Sequence, residues 1–71
     1  MKLTEALAGK EYVVQKIKTE DSALDMFLTS LGCYCGEPIR VIFRRLNGCI
    51  VAIKDGRYHI DRKLSDAIIV A

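Results

Sequence analysis

Cys33-Tyr34-Cys35 is the one dense pair of soft ligands in the chain. Thiolates select zinc, copper(I) or iron–sulfur clusters more readily than a lone hydrated ferrous ion. A structural tetrahedral site takes four ligands, and the remaining candidates are Cys49 and the single histidine, His59. Both fall on expected strands and on opposite faces of the sheet, so one chain does not gather all four. Two copies meeting at Cys33 and Cys35 would supply four thiolates, which makes a homodimer site for iron or zinc the metal-binding reading. The plain alternatives are that these cysteines are small apolar side chains filling a turn, or redox-sensing thiols. Three cysteines in a chain with no signal-like start do not suggest a disulfide framework.

The charged residues carry the second candidate chemistry. Eleven basic and nine acidic residues leave a net charge of +2, too mild a bias for a nucleic-acid partner. Arg40, Arg44 and Arg45, and later Arg57, Arg62 and Lys63, form a basic patch if they share a face. Such a patch suits an acidic partner surface or an anionic headgroup, and the alternative is an ordinary solvated surface. Catalysis has no comparable support: no nucleophile–base pair, paired carboxylate or glycine-rich phosphate loop stands at the required spacing. The chain reads as a non-enzyme. Its carboxylates (Glu20, Asp21, Asp25, Asp55, Asp61 and Asp66) fit caps and turns.

These side chains have to be placed by a very small scaffold. Seventy-one residues make one domain, residues 1–71. A chain of this size buries only roughly 60% of the surface its unfolded form exposes, so a hydrophobic content of 51% is put to use in one core. No apolar run approaches the ~20 residues of a membrane span, and the opening MKLTEALAGKEY lacks the apolar stretch of a secretory signal. A cytoplasmic location without membrane insertion is the expectation.

The organising stretch is Leu24 to Phe43. Leu24, Phe27, Leu28 and Leu31 recur at helical spacing and give a short helix from about Ser22 to Leu31 with one apolar face. Asp21 or Ser22 is its N-cap and Gly32 its left-handed C-terminal stop. Ahead of it, Glu11 to Lys18 is a strand whose inward set is Tyr12, Val14 and Ile17 if a bulge sits near Gln15. After it, Gly36 to Arg45 is a strand that buries Ile39, Val41 and Phe43. Asn47-Gly48 and Asp55-Gly56 suit two-residue hairpin turns, so Cys49–Lys54 and Arg57–Ile60 complete a meander. A strict turn at Asn47-Gly48 would expose Val41 and Phe43, so a longer turn or a bulge is expected there. Asp61 to Ala67 is one polar helical turn holding Leu64, and Ile68–Val70 is a last short strand. About five strands with one short α-helix between the first two indicate a mainly β, SH3-like barrel.

The helix ending LTSLG, Gly36, the Ile39-x-Val41 pair, the Asn47-Gly48 turn, the AIKDGRYHID hairpin and the closing SDAIIV together resemble the ferrous-iron-transport protein A (FeoA) family. The resemblance runs from about Leu7 to Val70 and lies in order and spacing, not in any one motif. It implies a small cytosolic accessory protein that docks on a membrane ferrous-iron transporter with a GTPase domain. The docking residues would be Tyr34, Ile42, Arg44 and Arg45. It also implies likeness to the SH3-like domain of metal-dependent repressors, which gives the alternative of transition-metal binding or sensing through Cys33 and Cys35. This chain has those two cysteines where family members commonly carry leucine and proline.

Overall fold

A computed structural model describes residues 1–71. A 3-10 turn at Leu3–Glu5 leads to β1 (Glu11–Ile17), α1 (Ser22–Ser30), β2 (Pro38–Arg45), β3 (Gly48–Ile53), β4 (Gly56–Asp61), α2 (Arg62–Ala67) and β5 (Ile68–Val70). All strand pairs are antiparallel, in the spatial order β4-β3-β2-β1-β5. The outer strands are β4 and β5, and α2 runs from the end of one to the start of the other. Met1 and Lys2 lie along the far side of β5, where the Val70 amide donates to the Met1 carbonyl at 2.7 Å. That edge is therefore covered and not left open to another strand.

Strand β1 follows its irregular alternation. Tyr12 and Val14 are buried and Ile17 packs on the core. The register against β5 slips between Val14 and Lys16, so Gln15 is the extra residue. Asp21 caps α1 by accepting from the amides of Ala23 and Leu24, and Asp25 adds a negative charge to the first turn. Gly32 closes the helix at φ +92°. The buried seam is narrower than the sequence suggests. Leu28 is fully enclosed and Leu24 packs on the core, but Phe27 is 51% exposed. Adjacent helical residues differ by about 100°, so with Leu28 facing the sheet Phe27 is turned to the side.

The meander departs from expectation at both turns. The first has Leu46-Asn47 as its central pair, because Arg45 faces Gly48. The second has Lys54-Asp55, because Ile53 faces Gly56. Each lies one residue before the expected dipeptide, and Lys54 takes the positive φ (52°) that the turn requires. Moving a two-residue turn by one position changes the register by two, which keeps the same faces inward. Ile53, Val51, Tyr58 and Ile60 accordingly remain on the core side, joined by Cys49. In β2 the expected irregularity is a bulge: Val41 faces Val51 but Phe43 faces Ile50, leaving Ile42 extra. The bulge reverses the alternation beyond it. Ile39 and Val41 are buried as expected, whereas Phe43 is 44% exposed.

Candidate functional site

The cysteine pair sits in the turn between α1 and β2. The Cys33 amide donates to the Leu28 carbonyl at 2.9 Å, which folds the chain back under the helix. Its side chain joins the core and is fully buried, while Cys35 is exposed. Burial pushes the Cys33 thiol up to about 11, because the charged thiolate loses its hydration there. A protonated, enclosed thiol is a poor metal ligand and nucleophile. Cys49 is also enclosed, its sulfur 3.6 Å from the Ser65 hydroxyl. His59 lies across from Ile50 on the outer face. No three His, Cys, Asp or Glu side chains converge as a metal-holding group.

Beside this turn, Lys54 donates to Glu37 at 2.9 Å and lies 5.3 Å from the Tyr34 ring centroid. The hydrogen bond from Lys54 lowers the Glu37 carboxyl below the usual range. The same bond raises the Lys54 ammonium above its own. Tyr34 is 39% exposed at this end of the sheet.

The expected docking residues do not form one cluster. Arg44 and Arg45 face Cys49 and Gly48, at the opposite end of β3 from Ile53 and Lys54. Five residue steps of strand separate the two ends by on the order of 17 Å. Ile42 is half-buried at the bulge. Arg44 shares the inner side of the strand pair with Cys49, and its Nη2 donates to the carbonyls of Leu3 (2.9 Å) and Ala6. This guanidinium clasps the N-terminal segment onto β2. Arg45 lies over the Phe43 ring, 5.0 Å from its centroid.

The outer face of the meander shows what the sequence reading missed. Phe43 faces Ile50, which faces His59; Arg40 faces Ala52, which faces Arg57. An apolar strip of Ile42, Phe43, Ile50 and Ala52 thus lies between cationic residues. The protein's ion pairs are Arg40–Glu11 at 3.3 Å and Lys54–Glu37 at 2.9 Å, so Arg45 and Arg57 have no carboxylate partner. The signal for Phe43 was the broken alternation itself: once Ile42 is the extra residue, the positions after it exchange faces.

Comparison with known proteins locates this fold. A crystal structure described as the iron uptake regulatory protein FeoA superposes with a TM-score of 0.87 at 24% identity, covering 99% of this chain and 93% of the other. Stenotrophomonas maltophilia FeoA complexed with zinc, described as a prokaryotic SH3 domain protein, gives 0.88 at 20% identity, with 100% and 89% coverage. A manganese-dependent transcriptional repressor gives 0.87 at 23% identity, covering 96% of this chain but 39% of its own length. At such identities the likeness is one of fold, and the fold is SH3-like. Comparison with curated proteins gives no match. The family model described as the FeoA domain matches residues 1–71, and the chain belongs to the FeoA family, which is associated with ferrous iron transport.

Proposed function

We propose that this chain is a small cytosolic accessory protein of ferrous-iron uptake, a binding module for a membrane iron transporter with a GTPase domain. The observation that carries the reading is the outer face of β2 and β3. Phe43, 44% exposed, stands with Ile42 and Ile50 between Arg45 and Arg57, which lack carboxylate partners. An aromatic and aliphatic centre with a cationic rim is the anatomy of a protein-docking surface. Ile42 and Arg45 belong to this face, Arg44 braces it from behind, and Tyr34 would be a separate contact at the far end of the sheet. The function is binding alone, with no catalytic step. The experiment is capture of the transporter's cytosolic domain by the purified chain. Phe43→Ser and Arg45→Glu should each reduce capture while leaving the melting temperature close to wild type. Undiminished capture by both variants removes this face from the interface.

A second reading, transition-metal binding at Cys33 and Cys35, draws support from the zinc-bound relative. In this chain it requires the turn to open, since Cys33 is enclosed and Cys35 is not. Metal analysis of protein purified without oxygen tests it. Stoichiometric iron or zinc that disappears in Cys33→Ser plus Cys35→Ser supports the reading; metal-free protein whose melting ignores added zinc removes it.

A further inference from the structure

We propose that the hollow between the β2–β3 turn and the start of α2 binds a phosphoryl-bearing anion. The hollow has a volume of about 160 Å³ and is lined by Arg44, Arg45 and Arg62, with Thr4 and Ser65 beside them and no acidic residue in its wall. The Arg62 amide donates to the Asn47 carbonyl at 2.9 Å, which fixes the start of α2 against the turn and brings the third arginine to the other two. Two carboxylates lie nearby, and neither forms an ion pair with the three arginines. Asp61 accepts from the Leu64 amide at 2.8 Å, and Asp66 accepts from the Thr4 hydroxyl at 3.0 Å. The Ser65 hydroxyl is spent on the Asp61 carbonyl. The guanidinium groups are the donors left for a ligand.

Two of the three are already held in place. Arg44 is fixed through Nη2 by the Leu3 and Ala6 carbonyls, which leaves Nε and Nη1 to donate. Arg45 lies over the Phe43 ring, 5.0 Å from its centroid, and makes no ion pair that would occupy its N–H groups. Preorganised donors lose less freedom when a ligand arrives. Three guanidiniums also choose between anions. A carboxylate offers two oxygens, enough for one fork; a phosphoryl group offers three or more acceptors and a higher charge, enough for several. This reading is independent of the transporter, because it concerns the chain and a small anion alone.

The test is titration of the isotope-labelled chain, at constant ionic strength, with inorganic pyrophosphate, with phosphatidylglycerol vesicles and with a glutamate-rich peptide. Pyrophosphate should shift the amides of residues 44–48 and 62–65 saturably. Arg45→Gln and Arg62→Gln should each weaken it by about tenfold, the loss of one charge-assisted contact. Lys63→Gln, which removes the same charge outside the hollow, should leave it unchanged. Shifts with pyrophosphate but no vesicle binding identify a free phosphate ligand; vesicle binding that needs Arg45 and Arg62, without shifts from pyrophosphate, identifies a lipid headgroup. The proposal is overturned if neither phosphoryl source binds, if Lys63→Gln weakens binding as much as Arg62→Gln, or if the peptide binds the same residues as tightly as pyrophosphate.

Discussion

Burial separates the two thiols that the sequence places side by side. Cys35 should react rapidly with a thiol reagent in the folded protein, whereas Cys33 and Cys49 should react only on unfolding, as mass spectrometry after timed alkylation would read. The raised Cys33 value has a consequence for stability. Between pH 9 and about 11 the unfolded thiol gives up its proton while the folded one keeps it. The folded state then binds more protons, so stability falls as pH rises through that window. Two pH units correspond to about 3 kcal/mol. Denaturant melts of wild type and Cys33→Ala should show the variant less stable at pH 7 but with a flatter slope above pH 9. Equal slopes would mean that Cys33 is not enclosed. Gly48 makes a different residue-scale point. A Cβ there would run into the Ile60 carbonyl oxygen, which is backbone and cannot step aside. At Gly32 the Cβ would meet the Lys54 side chain at 2.8 Å, which can swing away, leaving the left-handed φ of +92° as the cost. Gly48→Ala should therefore cost more than Gly32→Ala, whose penalty is about 1–2 kcal/mol, as paired thermal melts would show.

At the scale of elements, the N-terminal turn is fastened by side chains distant in sequence, Arg44 of β2 and Asp66 of α2. Replacing Arg44 by methionine keeps the apolar stem but leaves the Ala6 carbonyl without a partner, while the Leu3 carbonyl keeps only the Ala6 amide at 3.0 Å. The loss should be about 1–3 kcal/mol, with faster amide exchange confined to the first residues and the Met1–Lys2 cover of β5. Global acceleration of exchange would show instead that this turn is part of the main cooperative unit. Such long-range fastenings mark the limit of what the chain discloses by itself. The Asp21 cap, the bulge at Gln15, the antiparallel meander and the short final strand are all local, written in caps, β-branched runs and turn residues. The faces of β3 and β4 were also legible, because a turn displaced by one residue preserves them. The bulge at Ile42 was foreseen only as a need for some irregularity. Its position shows only in the strand pairing, where Val41 faces Val51 but Phe43 faces Ile50. Phe43 was misassigned to the core for that reason. Arg45 and Ile42 were legible as surface candidates, but the arginine hollow was not, since Arg62 joins it only through the contact between α2 and the β2–β3 turn.

The whole molecule is a thin core under a surface that it can spare. One cluster of fourteen buried residues draws on the N-terminal turn, every strand and α1. A domain of this length is expected to be stable by about 4–10 kcal/mol. Leu28 is the one fully enclosed side chain of α1, and truncating it to alanine should cost about 2–5 kcal/mol, a large share of the total. Phe43 is a larger hydrophobe, yet it packs on the outside, 44% exposed, and its removal should cost little folding energy. If the outer face is for docking, folding and binding should separate along this line. Leu28→Ala should lower the melting temperature, and at temperatures where the variant remains folded it should capture the transporter's cytosolic domain with unchanged affinity. Phe43→Ser should do the reverse. Because the rim is cationic and exposed, capture should also weaken as salt rises across a range where the Debye length falls from about 30 to 8 Å. That salt dependence should shrink in Arg45→Glu and Arg57→Glu. Capture that follows stability across both core and surface variants, with no dependence on salt, would mean that the partner reads some other face.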